Sequence, residues 1–447
     1  MTNTAKNSNK NIDLLIHARW LITCEDNNQT LENHALAIKD GNIIDILPSR
    51  TASEHYQATA EEHYTNHAVL PGLINAHTHL AMNLFRGLAD DLPLMTWLSD
   101  HVWVAEAKWV DHAFVYDGSL LAMAEMIRGG STCFNDMYFF MDATAEATIK
   151  AGIRGSIGMT VIDVPTAWAK TTDEYFAKAL AFHHMYHDVD RITPTLAPHS
   201  TYTLNDDALI KVKALADKLK LKINLHLLEA HSEIEHSESK YKMRPLQRLE
   251  ALGMLSPDLI AIHMTQLNEA DLDLLQEKKP NLIHCPESNM KTASGISPVQ
   301  QLLNRGINVA LGTDGAASNN DLDMIGEMRT AALVGKIAAN DATAVSAEQV
   351  LKMATLHGAK ALGIDHITGS LTKGKAADFI AIDLSAIETQ PLYHPISQIV
   401  YASTRSQVTD VWVAGKQLLK NRELTTLDEK ELLQKTHAWR EKISGLR

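Results

Sequence analysis

Short apolar strands alternate with helix-forming stretches over residues 70–371, and this alternation constrains the fold more than any other feature of the chain. It is typical of parallel βα units, because each helix returns the chain to the starting edge of the sheet. Eight such units in roughly 300 residues predict a distorted TIM-type (β/α)8 barrel, in which catalytic groups lie at the C-terminal ends of the strands. The eight predicted strands are one that ends near His77, then 131–135, 154–158 and 191–197, and four that end at His226, at His263, near His284 and at Asp314.

Both ends of the chain are rich in strands instead. Residues 12–69 contain three strand-like segments, two of which are separated by Asp40-Gly41, a strong hairpin signal. Similar segments return at 377–383 and 408–414. Neither end has enough strands for a stable sheet, so we expect the two ends to pair into one small β-sandwich beside the barrel. The predicted domains are an N-terminal part of the sandwich at 1–69, the barrel at 70–371 and a C-terminal part of the sandwich at 372–447.

Polar side chains occur at the ends of the predicted barrel strands. His77 and His79 are two residues apart on a strand and therefore point the same way. His226 and His263 each end a strand, and Asp314 ends the last one. Taken singly, each is more often a core histidine or a helix-capping aspartate than a ligand. Four histidines and one aspartate thus lie at such strand ends, and three histidines with one aspartate form the type of site that a divalent transition metal prefers.

Seven segments extend this pattern along the chain. They are HTHLAM (77–82), LFRGL (84–88), DLPLMTW (91–97) followed by Glu106, APHSTYT (197–203), HLLE (226–229), CPESNMK (285–291) and GTDGAASNN (312–320). Together they resemble the amidohydrolase superfamily in its cytosine-deaminase-like (TRZ/ATZ) branch, specifically the 5′-methylthioadenosine/S-adenosylhomocysteine deaminase family. One position departs from the family pattern, because Ala230 follows Glu229 where threonine is usual. The change leaves the chemistry intact but could alter the orientation of Glu229.

The resemblance implies a metal centre. His77, His79, His226 and Asp314 match the ligands of one divalent ion per chain, with Zn²⁺ expected and Fe²⁺ as the alternative. Binuclear relatives carry a carbamylated lysine on the strand before the His199 loop, and residues 191–197 contain no lysine, so we expect a mononuclear site. Three neutral imidazoles and one carboxylate leave the metal net positive and open to water, whose pKa such an ion lowers to about 7.

The resemblance also implies the roles of the remaining side chains. Glu229 shuttles protons to the ring nitrogen and the departing amine, while Asp314 accepts a proton from the bound water. His263 hydrogen-bonds that water and the developing alkoxide. Glu106 pairs with the ribose hydroxyls, and His199 contacts the sugar side of the nucleoside.

These roles predict a hydrolytic deaminase of adenosine-type nucleosides. We expect 5′-methylthioadenosine as the first substrate, adenosine as the next and S-adenosylhomocysteine as a third, with apolar residues of 92–97 lining the 5′ side. The alternative is a related aminohydrolase or chlorohydrolase that acts on a triazine, guanine or cytosine ring. A metal-free scaffold of the same fold is disfavoured, because all four ligands and Glu229 are present. The family also implies a homo-oligomer.

Composition and charge limit the partners and the cellular location that we expect for the chain. With 45% hydrophobic and 21% charged residues, the chain can bury a large core. The net charge of −13 disfavours nucleic acid or an anionic membrane as a partner. Residues 1–10 read as a polar tail rather than a signal peptide, and no apolar run reaches membrane-spanning length. With only three cysteines, these features predict a cytoplasmic protein.

Overall fold

The computed structural model describes residues 10–27 and 29–445. The predicted polar tail at 1–10 lies outside these residues, except for Lys10, which begins the first strand. Among the described residues, no helix has both the length and the apolar character needed to cross a membrane.

The N-terminal end forms four strands. The hairpin turn between the second and third lies at Asp40-Gly41, as predicted, and Gly41 adopts a φ of +74°, which favours glycine. The first strand pairs antiparallel with the second and parallel with the fourth. The four are β1 (Lys10–Ile22), β2 (Thr30–Lys39), β3 (Asn42–Pro48) and β4 (Tyr56–Pro71).

The middle of the chain forms eight parallel strands that pair in sequence order, which confirms the predicted barrel. Every residue of the second and third of these strands is buried, as expected for strands covered on both faces. They are β5 (Leu73–Thr78), β6 (Ser131–Tyr138), β7 (Arg154–Val161), β8 (Ile192–Pro198), β9 (Ile223–Leu227), β10 (Leu259–His263), β11 (Asn281–His284) and β12 (Val309–Leu311).

Side chains and backbone join the first and last barrel strands. The Asn75 amide nitrogen donates to Thr313 Oγ1 (2.7 Å), and the Thr313 backbone N–H donates to Asn75 Oδ1 (3.0 Å). The Asp314 N–H donates to the His77 carbonyl (3.0 Å). Gly312 lies so close to His77 that a Cβ on Gly312 would be only 2.6 Å from the His77 backbone nitrogen. Glycine at this position therefore lets the end of β12 lie against β5.

Helices connect the barrel strands. The three that the sequence predicts at 117–128, 207–219 and 299–305 are present, with the first beginning five residues earlier, at His112. The principal helices after β5 are Trp103–Trp109, His112–Arg128, Met141–Ala151, Thr172–Tyr186, Asp206–Leu219, His231–Tyr241, Pro245–Ala251, Glu269–Lys278, Pro286–Lys291, Val299–Asn304, Met324–Ala339, Ala347–Met353, Leu356–Leu362, Pro395–Tyr401 and Glu429–Ser444.

The C-terminal end adds β13 (Phe379–Asp383), β14 (Val408–Val413), β15 (Lys416–Lys420) and β16 (Glu423–Leu424). Because β13 pairs antiparallel with β4, the two chain ends share one continuous eight-stranded sheet in the order β16-β15-β14-β13-β4-β1-β2-β3. The predicted pairing of the two chain ends is thus confirmed.

A buried ion pair ties this terminal sheet to the barrel. Arg154, at the start of β7, donates from Nε to Asp378 Oδ2 (3.0 Å) and from Nη2 to Asp378 Oδ1 (3.3 Å). The side chain of Arg154 is 7% exposed and that of Asp378 is fully buried. Asp378 directly precedes β13, so the pair joins the barrel to the terminal sheet at the point where the chain returns to that sheet.

Candidate active site

Four of the predicted residues converge at the C-terminal ends of the barrel strands. The Nε2 atoms of His77 and His226 are 3.2 Å apart. Asp314 Oδ1 lies 3.4 Å from His77 Nε2 and 3.3 Å from His79 Nε2. The three histidines each place one ring nitrogen within 4.8 Å of the others. Strands β5, β9 and β12 therefore bring together side chains that are up to 237 residues apart in the sequence.

Two of these imidazoles are oriented by hydrogen bonds of their Nδ1 atoms, which point away from the centre of the cluster. His79 Nδ1 lies 2.6 Å from the Met137 carbonyl, and His226 Nδ1 lies 2.7 Å from the His199 carbonyl. A carbonyl can only accept, so Nδ1 carries the hydrogen and Nε2 presents a lone pair to the centre. Burial lowers the pKa of His77 to about 4, so this ring is neutral at pH 7.

The donor set fits a divalent transition metal. Three imidazoles and one carboxylate, with donor atoms within a few ångströms of one another, are ligands that such a cation prefers. Although burial opposes ionisation, the contact with His77 and the neighbouring histidine rings hold the pKa of Asp314 well below its usual range. The carboxylate therefore offers its charged form to the centre.

Asp314 is held by polar groups that the sequence analysis assigned no role. The hydroxyls of Ser288 and Ser318 donate to Asp314 Oδ2 at 2.7 and 2.8 Å, and the Gly315 N–H donates to Oδ1 at 2.8 Å. These donors fix the direction of the carboxylate. Ser288 lies in segment 285–291 and Ser318 in segment 312–320. The motifs therefore included both serines but did not indicate that they contact Asp314.

Glu229 and His263 lie beside each other in the same site. Glu229 Oε2 is 3.8 Å from His263 Nε2, and burial raises the pKa of Glu229 above its usual value. The Asn289 side-chain amide donates to His263 Nδ1 at 3.0 Å. His263 therefore carries its hydrogen on Nε2, which faces Glu229. Asn289 is a second residue within 285–291 whose role was not predicted.

Glu106 and His199 occupy the remaining predicted positions. The Tyr138 hydroxyl donates to Glu106 Oε1 at 2.7 Å, and burial raises the pKa of Glu106 to about 6. His199 Nδ1 lies 3.2 Å from the hydroxyls of both Ser200 and Thr203. Tyr138 was not predicted, because an isolated tyrosine at the end of a strand carries no local sign of its partner.

One cavity of about 570 Å³ joins these groups. His79, His226, Glu229, His263 and Asp314 line one part of it, together with Glu106 and His199. Its apolar wall includes Leu94 and Trp97 from the segment expected on the 5′ side. Other apolar lining residues are Leu98, Val102, Trp103, Val110, Phe139 and Ile162. The cavity therefore combines a polar, histidine-rich part with a largely apolar one.

Comparison with known proteins gives the family. The model of the amidohydrolase family matches residues 68–418. The chain belongs to this family, whose members are metal-dependent.

Individual relatives cover almost the full length of the chain. A 5-methylthioadenosine/S-adenosylhomocysteine deaminase of Saccharophagus degradans is 46% identical over 435 residues, which is 97% of this chain and 98% of that protein. A 5′-deoxyadenosine deaminase of Methanothermobacter thermautotrophicus is 41% identical over 92% of this chain and 95% of that protein. The crystal structure of an adenosine deaminase from Xanthomonas campestris with bound zinc matches with a TM-score of 0.97 and 47% identity, covering 98% of this chain and all of that one.

Proposed function

We propose that this protein is a zinc-dependent deaminase that converts 5′-methylthioadenosine, and also adenosine, to the corresponding inosine nucleoside and ammonia. The observation that carries the proposal is the cavity that places the histidine cluster and Glu229 together with the partly buried Glu106 carboxylate and an apolar wall. The relatives named for such deaminases support the same substrate class. S-Adenosylhomocysteine is a third candidate, whose amino-acid tail needs further contacts.

In this proposal, one Zn²⁺ ion per chain is held by His77, His79, His226 and Asp314, with Fe²⁺ as the alternative. A divalent ion in such a site supplies Lewis acidity and lowers the pKa of water to about 7. The carbonyl partners of His79 and His226 keep the ligand nitrogens unprotonated and aimed at the centre.

Asp314, Glu229 and His263 perform the proton chemistry. Asp314 accepts a proton from the attacking water, whose oxygen forms a bond to C6 of the purine. Glu229 gives its proton to the adjacent ring nitrogen, takes up the remaining proton of the new C6 hydroxyl and delivers it to the amine as the C6–N bond breaks and ammonia leaves. The proton held by Asp314 then restores Glu229. The raised pKa of Glu229 favours the protonated form that the first of its transfers requires. The Nε2 hydrogen of His263 stabilises the charge that develops on the C6 oxygen.

Glu106 and the apolar wall provide specificity. A buried carboxylate that accepts hydrogen bonds from the ribose hydroxyls is left without partners when the sugar is missing, which costs more than the loss of an apolar contact. Free adenine should therefore be a poor substrate. Leu94 and Trp97 line the cavity and suit an apolar 5′ group such as methylthio better than a charged one. His199 contacts the sugar side in this arrangement.

Ammonia release from 5′-methylthioadenosine, adenosine, S-adenosylhomocysteine and adenine tests the proposal. We expect methylthioadenosine to give the highest kcat/KM and adenine the lowest, and Glu106→Ala to reduce kcat/KM for the nucleosides. Chelation should abolish activity and zinc should restore it. Full activity of the metal-stripped protein, better turnover of adenine or of a triazine, or an unchanged kcat/KM in Glu106→Ala would contradict the assignment. A cytoplasmic location and a homo-oligomer stay predictions.

A further inference from the structure

A second set of metal-ligand side chains lies in the terminal sheet, outside the barrel. His17 is on β1, and Glu61 and His63 are on β4. These two strands pair in parallel, with His17 directly opposite His63. Glu61 and His63 are two residues apart, so they point to the same face of the sheet. Strand register alone therefore places two imidazoles and one carboxylate on one surface.

The side chains are already close enough to share an ion. His17 Nε2 lies 3.4 Å from Glu61 Oε1, and the rings of His17 and His63 stack with centroids 4.5 Å apart. One donor atom of each of the three residues lies within 4.8 Å of the others. Within residues 10–27 and 29–445, only this trio and the group of His77, His79 and His226 meet that condition.

We propose that His17, Glu61 and His63 form a second binding site for a divalent transition metal ion such as Zn²⁺ or Cu²⁺. Two histidines and one glutamate are a ligand set that proteins use for zinc, with the remaining position left to water. His17 is 9% exposed and anchors the site, whereas Glu61 and His63 are exposed and free to turn toward the ion. Binding turns the exposed His63 ring out of its stack on His17, so that a nitrogen of each ring points at the metal.

The surroundings leave room for this ion. His17 and His63 line an open groove of about 410 Å³, whose other wall includes Asn33 and Arg50. Solvent in the groove completes the coordination. Because the ion bridges β1 and β4, it links two neighbouring strands of the terminal sheet and stabilises the folded state, which it binds in preference to the unfolded chain.

Metal titration of the zinc-loaded enzyme tests the site independently of the proposed function. Isothermal calorimetry with Zn²⁺ alone, on protein without an affinity tag, should show one further equivalent bound per chain. His63→Ala should remove this equivalent. His34→Ala should retain it, because His34 is a neighbouring histidine on β2 whose Nδ1 lies 2.8 Å from the Glu32 carbonyl and which is not part of the trio. Ammonia release should be unchanged in both variants, since neither residue lies in the active-site cavity.

A second readout separates the metal site from a simple ion pair. A His17–Glu61 hydrogen bond without metal binding would survive His63→Ala and produce no difference in the titration. With Cu²⁺ added to the zinc-loaded protein, electron paramagnetic resonance should show hyperfine coupling to two imidazole nitrogens, and this pattern should be lost in His63→Ala. The proposal is overturned if the wild type binds no further equivalent, or if His63→Ala binds as much zinc and gives the same copper spectrum.

Discussion

At the residue scale, three of the active-site side chains, His79, His263 and Asp314, are oriented by a further polar partner. The Met137 carbonyl sets which nitrogen of His79 carries its hydrogen, and Asn289 does the same for His263. Ser288 and Ser318 hold Asp314. Such partners influence metal affinity and proton transfer although they touch neither the metal nor the substrate.

Glu229→Gln should lower kcat by at least about a hundredfold, the usual size of a general acid/base contribution, because glutamine cannot transfer the proton. Metal content should stay at the wild-type level, since Glu229 is not a proposed ligand. Steady-state kinetics and elemental analysis measure the two effects. Glu235→Gln is the matched control, because Glu235 is on the following helix and 70% exposed. Near-normal turnover of Glu229→Gln would refute its role.

The pH dependence of KM should report Glu106. Burial raises the pKa of this carboxyl to about 6, so it is charged above pH 6 and protonated below it. Only the charged form accepts well from two ribose hydroxyls, and KM for methylthioadenosine should therefore rise by up to about tenfold between pH 6 and pH 5. Glutamine at position 106 cannot titrate. The ratio of the wild-type KM to the Glu106→Gln KM at each pH therefore reports the part of the pH dependence that is due to Glu106. A ratio that stays constant from pH 5 to 7 would rule out the effect.

At the element scale, the helix that follows Glu229 begins without a side-chain cap. Ala230 is the N-cap of His231–Tyr241 and adopts an extended φ of −131° and ψ of 156°, whereas asparagine or serine caps the helices at Asp206, Glu269 and Ala347. Threonine, which is usual in the family at this position, would supply the missing acceptor. The departure predicted to affect Glu229 thus lies at the start of this helix.

Ala230→Thr should stabilise the protein by about 1 kcal/mol, because its hydroxyl can accept from a free N–H in the first helical turn. Thermal unfolding gives the measurement, as a rise in Tm. Ala230→Val is the control, since valine has nearly the same shape and no acceptor. An equal rise in both variants would show that packing, and not capping, is responsible.

At the scale of the whole molecule, the barrel and the terminal sheet depend on contacts between distant parts of the chain. Arg154 and Asp378 are 224 residues apart in sequence and form a buried pair between β7 and the segment before β13. Asp378 Oδ1 also accepts from the Ala414 N–H at 2.7 Å. Both parts of the molecule are therefore expected to unfold together.

Asp378→Asn should destabilise the fold by about 3 kcal/mol or more, because it leaves the guanidinium of Arg154 buried without its counter-charge. Chemical denaturation measures the change. Lys420→Ala provides the comparison, since it removes an ion pair with Glu62 in which Lys420 is 53% exposed, and such a surface pair contributes less than about 1 kcal/mol. Similar small losses in both variants would mean that Arg154 and Asp378 do not join the two sheets energetically.

The sequence by itself determined the architecture, because strand and helix periodicity are local properties. Alternation over 70–371 predicted eight parallel strands, and the strand-rich ends predicted that both ends pair into one small β-sandwich; the structure pairs them in one continuous sheet. Since the C-terminal ends of barrel strands meet at one rim, polar residues at those ends were expected to lie together. The structure brings His77, His79, His226 and Asp314 within a few ångströms of one another.

Only the tertiary structure decided which ordinary polar residues support them. Tyr138 on Glu106, Asn289 on His263 and Asp378 on Arg154 are contacts between segments whose separation and register no local pattern encodes. The same holds for His17 and His63, which are 46 residues apart and meet because β1 and β4 pair in one particular register. A shift of one residue would turn one of these histidines to the opposite face of the sheet, so their proximity is a property of the folded chain.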